Sequence, residues 1–247
     1  MRLGLMADIH GNREAFDACL THAAGLGLDG YILLGDYVGY GADPEWVTDK
    51  IMQMAQDGAV LVVGNHDYAL THGTQDMNPL AAESIAWTKQ RLDAAQIAFL
   101  TSLPLTHHDS AGRLFVHAEG AEPARFHYIC TTEAAARDMR QTDAPTIFCG
   151  HVHSPALYGI TATEKVMRHV PITGVSVPIP RHRRWLAVLG AVGQPRDGNA
   201  AASYAVFDTK RDEITYQRVP YDVDKAAQKI RAAGLPEFLA ERLFLGR

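Results

Sequence analysis

No apolar run in this chain approaches the roughly 20 residues that span a bilayer, so no membrane helix is expected. Cysteine is scarce: Cys19, Cys130 and Cys149 are an odd number at irregular spacing, two of them inside apolar segments. That pattern suits buried thiols in a reducing compartment rather than a disulfide framework. Positive charge is not in excess either. With 23 Lys and Arg against 28 Asp and Glu, the formal charge of -5 excludes the broad basic face that nucleic-acid binding by counterion release requires. The opening MRLGLMADIHGN places Asp8 early and lacks a signal-peptide core, so a cytoplasmic location is expected. Linkers, repeats and low-complexity stretches are missing, and a single domain over 1–247 is the expectation. What is present is 47% hydrophobic and 21% charged residues in 247, enough to close a core without a disulfide or metal staple.

Short apolar runs recur at 2–7, 31–34, 60–63, 114–116 and 146–149, each reading as a buried strand. Helical spacing fills 12–24 and 44–56 between the first three, closed by Gly25 to Gly27 and by Asp57-Gly58. This β-α-β-α-β order predicts an α/β sheet with a parallel first half. Residues 67–113 lack a strong strand signal, and the helical periodicity at 79–92 and 94–100 reads as a helical insertion at about 68–112. Strand candidates at 156–161, 185–189, 203–208 and 213–219 suit consecutive antiparallel pairing in a second sheet packed on the first. The Ala-rich stretch 133–140 reads as a helix capped by Thr131 or Thr132, and the tail as two short helices, 223–233 and 236–245.

The residues just after each apolar run carry the chemistry. The first run ends in Asp8-Ile9-His10-Gly11-Asn12, the second in Gly35-Asp36, the third in Gly64-Asn65-His66-Asp67, the fourth in His117-Ala118 and the fifth in Gly150-His151-Val152-His153. In an α/β sheet the C-terminal strand ends share one edge, where ligands bind, so these residues are expected to converge. The i, i+2 spacing of Asp8 with His10, and of His151 with His153, aims both members of each pair the same way in extended backbone. Asp or Asn oxygens and His nitrogens together suit Mn, Fe, Zn or Co better than Ca or Mg alone. Seven such residues exceed one tetrahedral site, so two ions sharing a carboxylate is the natural solution, the arrangement that activates a bridging hydroxide for phosphoryl transfer.

At these five blocks the chain resembles the calcineurin-like metallophosphoesterase superfamily, whose pattern runs Asp-x-His, Gly-Asp, Gly-Asn-His-Asp/Glu, His, Gly-His-x-His. The resemblance implies an α/β fold, a four-layer α/β/β/α sandwich of two mixed sheets flanked by helices. It implies a binuclear metal-dependent phosphoesterase with Asp8, His10 and His153 on a first ion, Asn65, His117 and His151 on a second, and Asp36 bridging them. The ions would be divalent, from Mn, Fe, Zn, Co or Ni with Mn favoured. His66 would stay off the ions and face the leaving oxygen, with Asp67 orienting it. The segments Gly35 to Gly41, Val192 to Gly198, Gly234-Leu235-Pro236 and Gly246-Arg247 are similar to the prokaryotic predicted-phosphodiesterase, YfcE-like branch. Where protein phosphatases and dinucleoside tetraphosphatases show Gly-Asp-x-Val-Asp-Arg-Gly, this chain has Gly39 and Tyr40 in place of the Asp and Arg, which turns the expectation away from phosphoprotein and dinucleotide specificity. Leu189-Gly190-Ala191 replaces the Pro-Gly-Ser usual in that branch.

The expected activity is thus a phosphodiesterase using a metal-bridging hydroxide, on a small phosphoester or a nucleotide. The alternatives are a phosphomonoesterase or a nucleotide or dinucleotide hydrolase on the same site, and a non-catalytic metal-binding scaffold. Arg196 and Arg181, the latter in the basic run Arg181-His182-Arg183-Arg184, are candidates to meet the anionic substrate, against a solvated or ion-paired role. Asp197 reads evenly as functional or as an ion-pair member, Glu119 as a solvent-exposed carboxylate in preference to a pocket-lining one, and Tyr37 and Tyr40 as packing residues or substrate stackers. His22 and His72 read as surface residues, His107-His108-Asp109 as a loop, and His127 and His169 as structural. No heptad or long apolar edge points to a dimer.

Overall fold

The computed structural model describes residues 1–247. The chain opens with β1 (Arg2–Met6), α1 (Arg13–Ala24), β2 (Gly30–Leu33), α2 (Pro44–Gln56) and β3 (Val60–Leu61). Asn12 starts α1 by accepting the amide of Ala15, and Pro44 starts α2, where its missing N–H costs nothing. Three helices come next, α3 (Asn65–His72), α4 (Pro79–Arg91) and α5 (Ala94–Ser102), then β4 (Thr106–His108), β5 (Leu114–Val116), α6 (Thr132–Gln141) and β6 (Thr146–Cys149). The rest is β7 (Ala156–Ile160), β8 (Val166–His169), β9 (Ser176–Pro178), β10 (Trp185–Val188), β11 (Ala202–Asp208), β12 (Glu213–Val219), α7 (Val223–Ala232) and α8 (Glu237–Leu245).

The twelve strands form two six-stranded mixed sheets, ordered β3-β2-β1-β11-β12-β9 and β4-β5-β6-β10-β7-β8. In the first, β1, β2 and β3 run parallel and β11 joins β1 antiparallel; in the second, β5, β6 and β10 run parallel. Strand alternation builds the layers. Leu5, Phe207, Phe115 and Phe148 face inward and close the core between the sheets. Met6, Tyr204 and Val206 face outward under α1 and α2, and Ile147, Cys149 and Leu186 face outward under α6. The result is the expected α/β/β/α sandwich, with β1, β5, β6, β7 and β10 largely buried on both faces and so legible as continuous runs, while β12 alternates.

Three details differ from the sequence reading. The strands at 203–208 and 213–219 complete the first sheet, because the chain leaving β10 crosses between the sheets: Leu189 N donates to Cys149 O, and Val192 N to Ala7 O. Strands β4, β8 and β9 were not legible, since each is a short edge strand with most side chains partly or fully exposed; β4 takes in His107 and His108, read as a loop. Helix α3 begins immediately at Asn65, so its eight residues carry too little periodicity to show. No helix is long and apolar enough to cross a membrane.

The three cysteines are unpaired, with Cys19 and Cys149 buried and Cys130 exposed. Burial pushes the Cys19 thiol up to about 12 and raises Cys149 as well. Ellman's reagent is therefore expected to titrate one thiol in the native protein and all three after denaturation. Two or more fast-reacting native thiols would contradict this packing.

Candidate active site

The ends of β1, β2, β5 and β6 converge where the two sheets meet. Asp8 N donates to Gly35 O at 3.0 Å and His10 N to Asp36 O at 2.9 Å, tying the first two strand ends together. In the second sheet Gly150 N donates to His117 O at 2.8 Å, and across the sandwich His151 N reaches the Asp8 carboxylate at 2.9 Å. The backbone there is not extended. Asp8, His10, Asp36, His151 and His153 all sit in the left-handed region, with φ between 51° and 64°. The i, i+2 pairs therefore converge through tight turns and not through strand alternation, which corrects the sequence reading while leaving the pairs together. Non-glycine residues persist in this conformation only where their surroundings over-determine it, typically at functional sites.

The side chains form two groups of donor atoms lying within 4.8 Å of one another: Asp8, His10, Asp36 and His153, and Asp36, His117 and His151. Asp36 belongs to both. Its Oδ2 lies 3.6 Å from His10 Nε2 and 3.4 Å from His117 Nε2, and Asn65 Oδ1 is 3.1 Å from His117 Nε2. His10, His117 and His153 each give Nδ1 to a backbone carbonyl, of Val38, Leu34 and Gln194 respectively. In the neutral rings of His10 and His153 that bond places the proton on Nδ1 and leaves Nε2 as a bare lone pair. His10 Nε2 and His153 Nε2 then face each other at 3.1 Å with no proton between them, a contact that a shared cation resolves. The donor set is buried oxygen and imidazole nitrogen, which fits borderline divalent ions.

The electrostatics ask for positive charge in the same place. Burial, reinforced by Asp36, pushes the Asp8 carboxyl up to about 8. Burial opposes charge on His117 but is outweighed by Asp36 and Asp8, which hold its pKa up at about 9. Burial and neighbouring cationic groups hold His10, His151 and His153 below the usual imidazole range, so these rings are neutral donors.

His66 stands beside this cluster, its Nε2 4.0 Å from Asp36 Oδ2 and its Nδ1 without a hydrogen-bond partner. Gly39 (φ +83°) packs against that nitrogen, and any Cβ there would collide with it. Asp67 does not orient His66. Adjacent helical residues point about 100° apart, and the Asp67 carboxylate instead accepts the amides of Asp36, Tyr37, Val38 and Gly64 at 2.8 to 3.3 Å. Asp67 thus clamps the turn that presents Asp36. Asp67→Ala strands four buried amides, so a loss of about 3 kcal/mol or more is expected in urea unfolding, with a smaller loss for Asp67→Asn, which keeps one acceptor oxygen. An unchanged unfolding midpoint for the alanine variant would overturn this role.

Arg196 reaches the cluster: its guanidinium lies 5.7 Å from the Tyr40 ring, Nη2 holds Gln194 Oε1 at 3.0 Å, and Nε is unpartnered. Arg181 does not. It bonds Asp212 at 3.0 Å and the Thr209 carbonyl, at the end of the sheets where β1 begins, because the loop before β10 enters from that side. Asp197 pairs with Arg218, away from the ligand groups. Glu119 is buried rather than exposed, accepting from His127. Tyr37 is a packing residue, its hydroxyl on the carbonyls of Leu33 and Val62, whereas the Tyr40 ring lies 4.6 Å from His66 and 4.7 Å from His10. Sequence reasoning missed Tyr128, whose ring stacks on His151 at 4.0 Å; the only trace is the aromatic pair Phe126 and Tyr128 after Pro123.

Residues 1–212 match the profile of the calcineurin-like phosphoesterase superfamily domain. A Methanocaldococcus jannaschii protein named Uncharacterized protein MJ0912 is 35% identical over 251 residues, covering 99% of this chain and 98% of that one. The crystal structure of a metallophosphoesterase from Sphaerobacter thermophilus is similar at TM-score 0.89 and 34% identity, covering 100% of this chain and 99% of the other. Hypothetical protein PH1004 from Pyrococcus horikoshii OT3 shares the fold at TM-score 0.81 and 18% identity, covering 100% and 98%.

Proposed function

The chain belongs to the calcineurin-like phosphoesterase superfamily, and from that premise we propose that it is a phosphodiesterase working through two divalent ions, with Mn as the first choice. The observation that supports two ions is Asp36, the one carboxylate common to both donor groups. In this reading Asp8, His10, Asp36 and His153 hold one ion and Asp36, Asn65, His117 and His151 the other. Two ions so held lower the pKa of water and neutralise charge on a phosphoryl group.

The remaining residues act on the substrate. Arg196 pairs with a non-bridging phosphoryl oxygen through its guanidinium, which lies over the Tyr40 ring. His66 holds the proton on Nε2 and directs it to the leaving oxygen, while Gly39 fixes the ring from behind. Tyr40 supplies an aromatic wall at the position where an arginine would grip a dianion. A single guanidinium suits the one negative charge of a diester. The three unpaired thiols suit a reducing cytoplasm.

The test is hydrolysis of bis(p-nitrophenyl) phosphate and of p-nitrophenyl phosphate by chelator-stripped protein, with and without added Mn²⁺. Metal-dependent turnover faster on the diester is the expected result. Faster turnover of the monoester would reverse the diester assignment, and stoichiometric metal binding without turnover of either would favour a scaffold.

A further inference from the structure

A cleft of about 510 Å³ opens outward from Asn65, His66 and His151, within the range of small-molecule sites. Its walls are aromatic. Tyr128 is 54% exposed, with one ring face covered by His151 at 4.0 Å and 25° and the other free. Phe126 lies 6.0 Å from His117 and 5.7 Å from Tyr68, whose ring is stacked on His72 at 3.6 Å. Tyr40 closes the inner end beside His66. Gln75, Asp76 and Asn78 line the same cleft and add hydrogen-bonding side chains, Asn78 through its NH2 because its oxygen already caps Ala81 N.

The Tyr128 wall is held in place. Phe126 is left-handed at φ +52°, a strained state for a bulky residue, so the loop is over-determined by its contacts. Glu119, 3% exposed and two residues beyond His117, fastens that loop through His127 and faces Arg137 at 3.8 Å. A flat aromatic face is thereby fixed against a candidate ligand histidine and left open on its outer side.

Resting on the phosphoesterase reading, we propose that the substrate is a nucleoside phosphoester whose base stacks on the free face of Tyr128, with its edge toward Gln75, Asp76 and Asn78. A free aromatic face binds any planar π system, and the amide and carboxyl groups of the cleft match the donors and acceptors on a base edge. An alkyl chain could cover the ring but offers nothing to the polar side chains beside it.

AMP and ribose 5-phosphate share the 5-phosphoryl ribose unit, with the base of the first replaced by an anomeric hydroxyl in the second, so the pair isolates the base's contribution. Each is titrated by calorimetry into Mn²⁺-loaded protein and assayed as a competitive inhibitor of bis(p-nitrophenyl) phosphate hydrolysis. AMP is expected to bind about tenfold or more tightly than ribose 5-phosphate, in line with base-on-aromatic stacking. Tyr128→Ala brings that ratio toward one, and Tyr128→Phe, which keeps the ring, preserves it. Equal affinities in the wild type, or a ratio untouched in Tyr128→Ala, would overturn the proposal. Turnover of the diester with no base preference sinks this inference alone. A base preference without turnover sinks only the hydrolase reading.

Discussion

Asp36→Asn is expected to lower kcat by at least about a thousandfold and to remove bound metal, while the fold survives. The substitution is nearly isosteric, and the asparagine oxygen can still accept the His66 amide that Asp36 Oδ1 accepts at 2.8 Å. The changed atom is the one facing His10 Nε2 and His117 Nε2. There a negatively charged oxygen that could ligate a cation becomes an N–H group with no lone pair to offer, and both ligand groups lose their common member. Elemental analysis after gel filtration should show the metal content fall, thermal melting by circular dichroism should still show one cooperative transition, and turnover of bis(p-nitrophenyl) phosphate should disappear. Wild-type turnover in this variant would end the bridging assignment.

Replacing His66 should separate chemistry from metal binding. His66 belongs to neither donor group, so His66→Ala is expected to keep its ions and lose activity. The loss should depend on the leaving group. Positioned proton donors contribute roughly a hundredfold to ten-thousandfold, most where the departing alkoxide is a poor leaving group and least for p-nitrophenolate, which needs no proton. A series of diesters with leaving groups of rising pKa would therefore show a steeper fall in rate for His66→Ala than for wild type. Parallel slopes would mean that His66 does not serve the leaving oxygen. Gly39→Ala should reproduce the phenotype with the imidazole still present but displaced, because its Cβ collides with His66 Nδ1 and its backbone is left-handed at φ +83°.

The chemistry of this site was legible in the sequence and its geometry was not. Asp8, Asp36, His117 and His151 each come after an apolar run, and both faces of those strands are buried, so strand ends and ligand types could be read together. The turns could not, because nothing in Asp-x-His distinguishes an extended pair from two left-handed residues. Asp67 escapes correct assignment because helix α3 rotates it away from His66, and a helix of eight residues beginning at a ligand leaves no pattern to detect. Arg181 stands out by its charge alone, and charge carries no information about which end of a strand a loop occupies. The edge strands are hidden for a similar reason. Where most side chains are solvated, as in β8, hydrophobic alternation vanishes and only pairing partners define the strand.

The crossing between the sheets has a dynamic consequence. Val192 N on Ala7 O, Gly193 N on Asp8 O and His151 N on the Asp8 carboxylate join the two sheets by hydrogen bonds at the very edge that carries the ligands. A hinge between the halves of the sandwich would break those bonds first, so breathing of the two sheets is not available as a way to admit substrate. Accommodation falls to the segment 73–78, which adds no strand to either sheet and lines the cleft together with the fixed loop 120–128. Exchange of those two loops is consequently the route by which a lineage could acquire a new substrate while its hydrolytic machinery stays untouched.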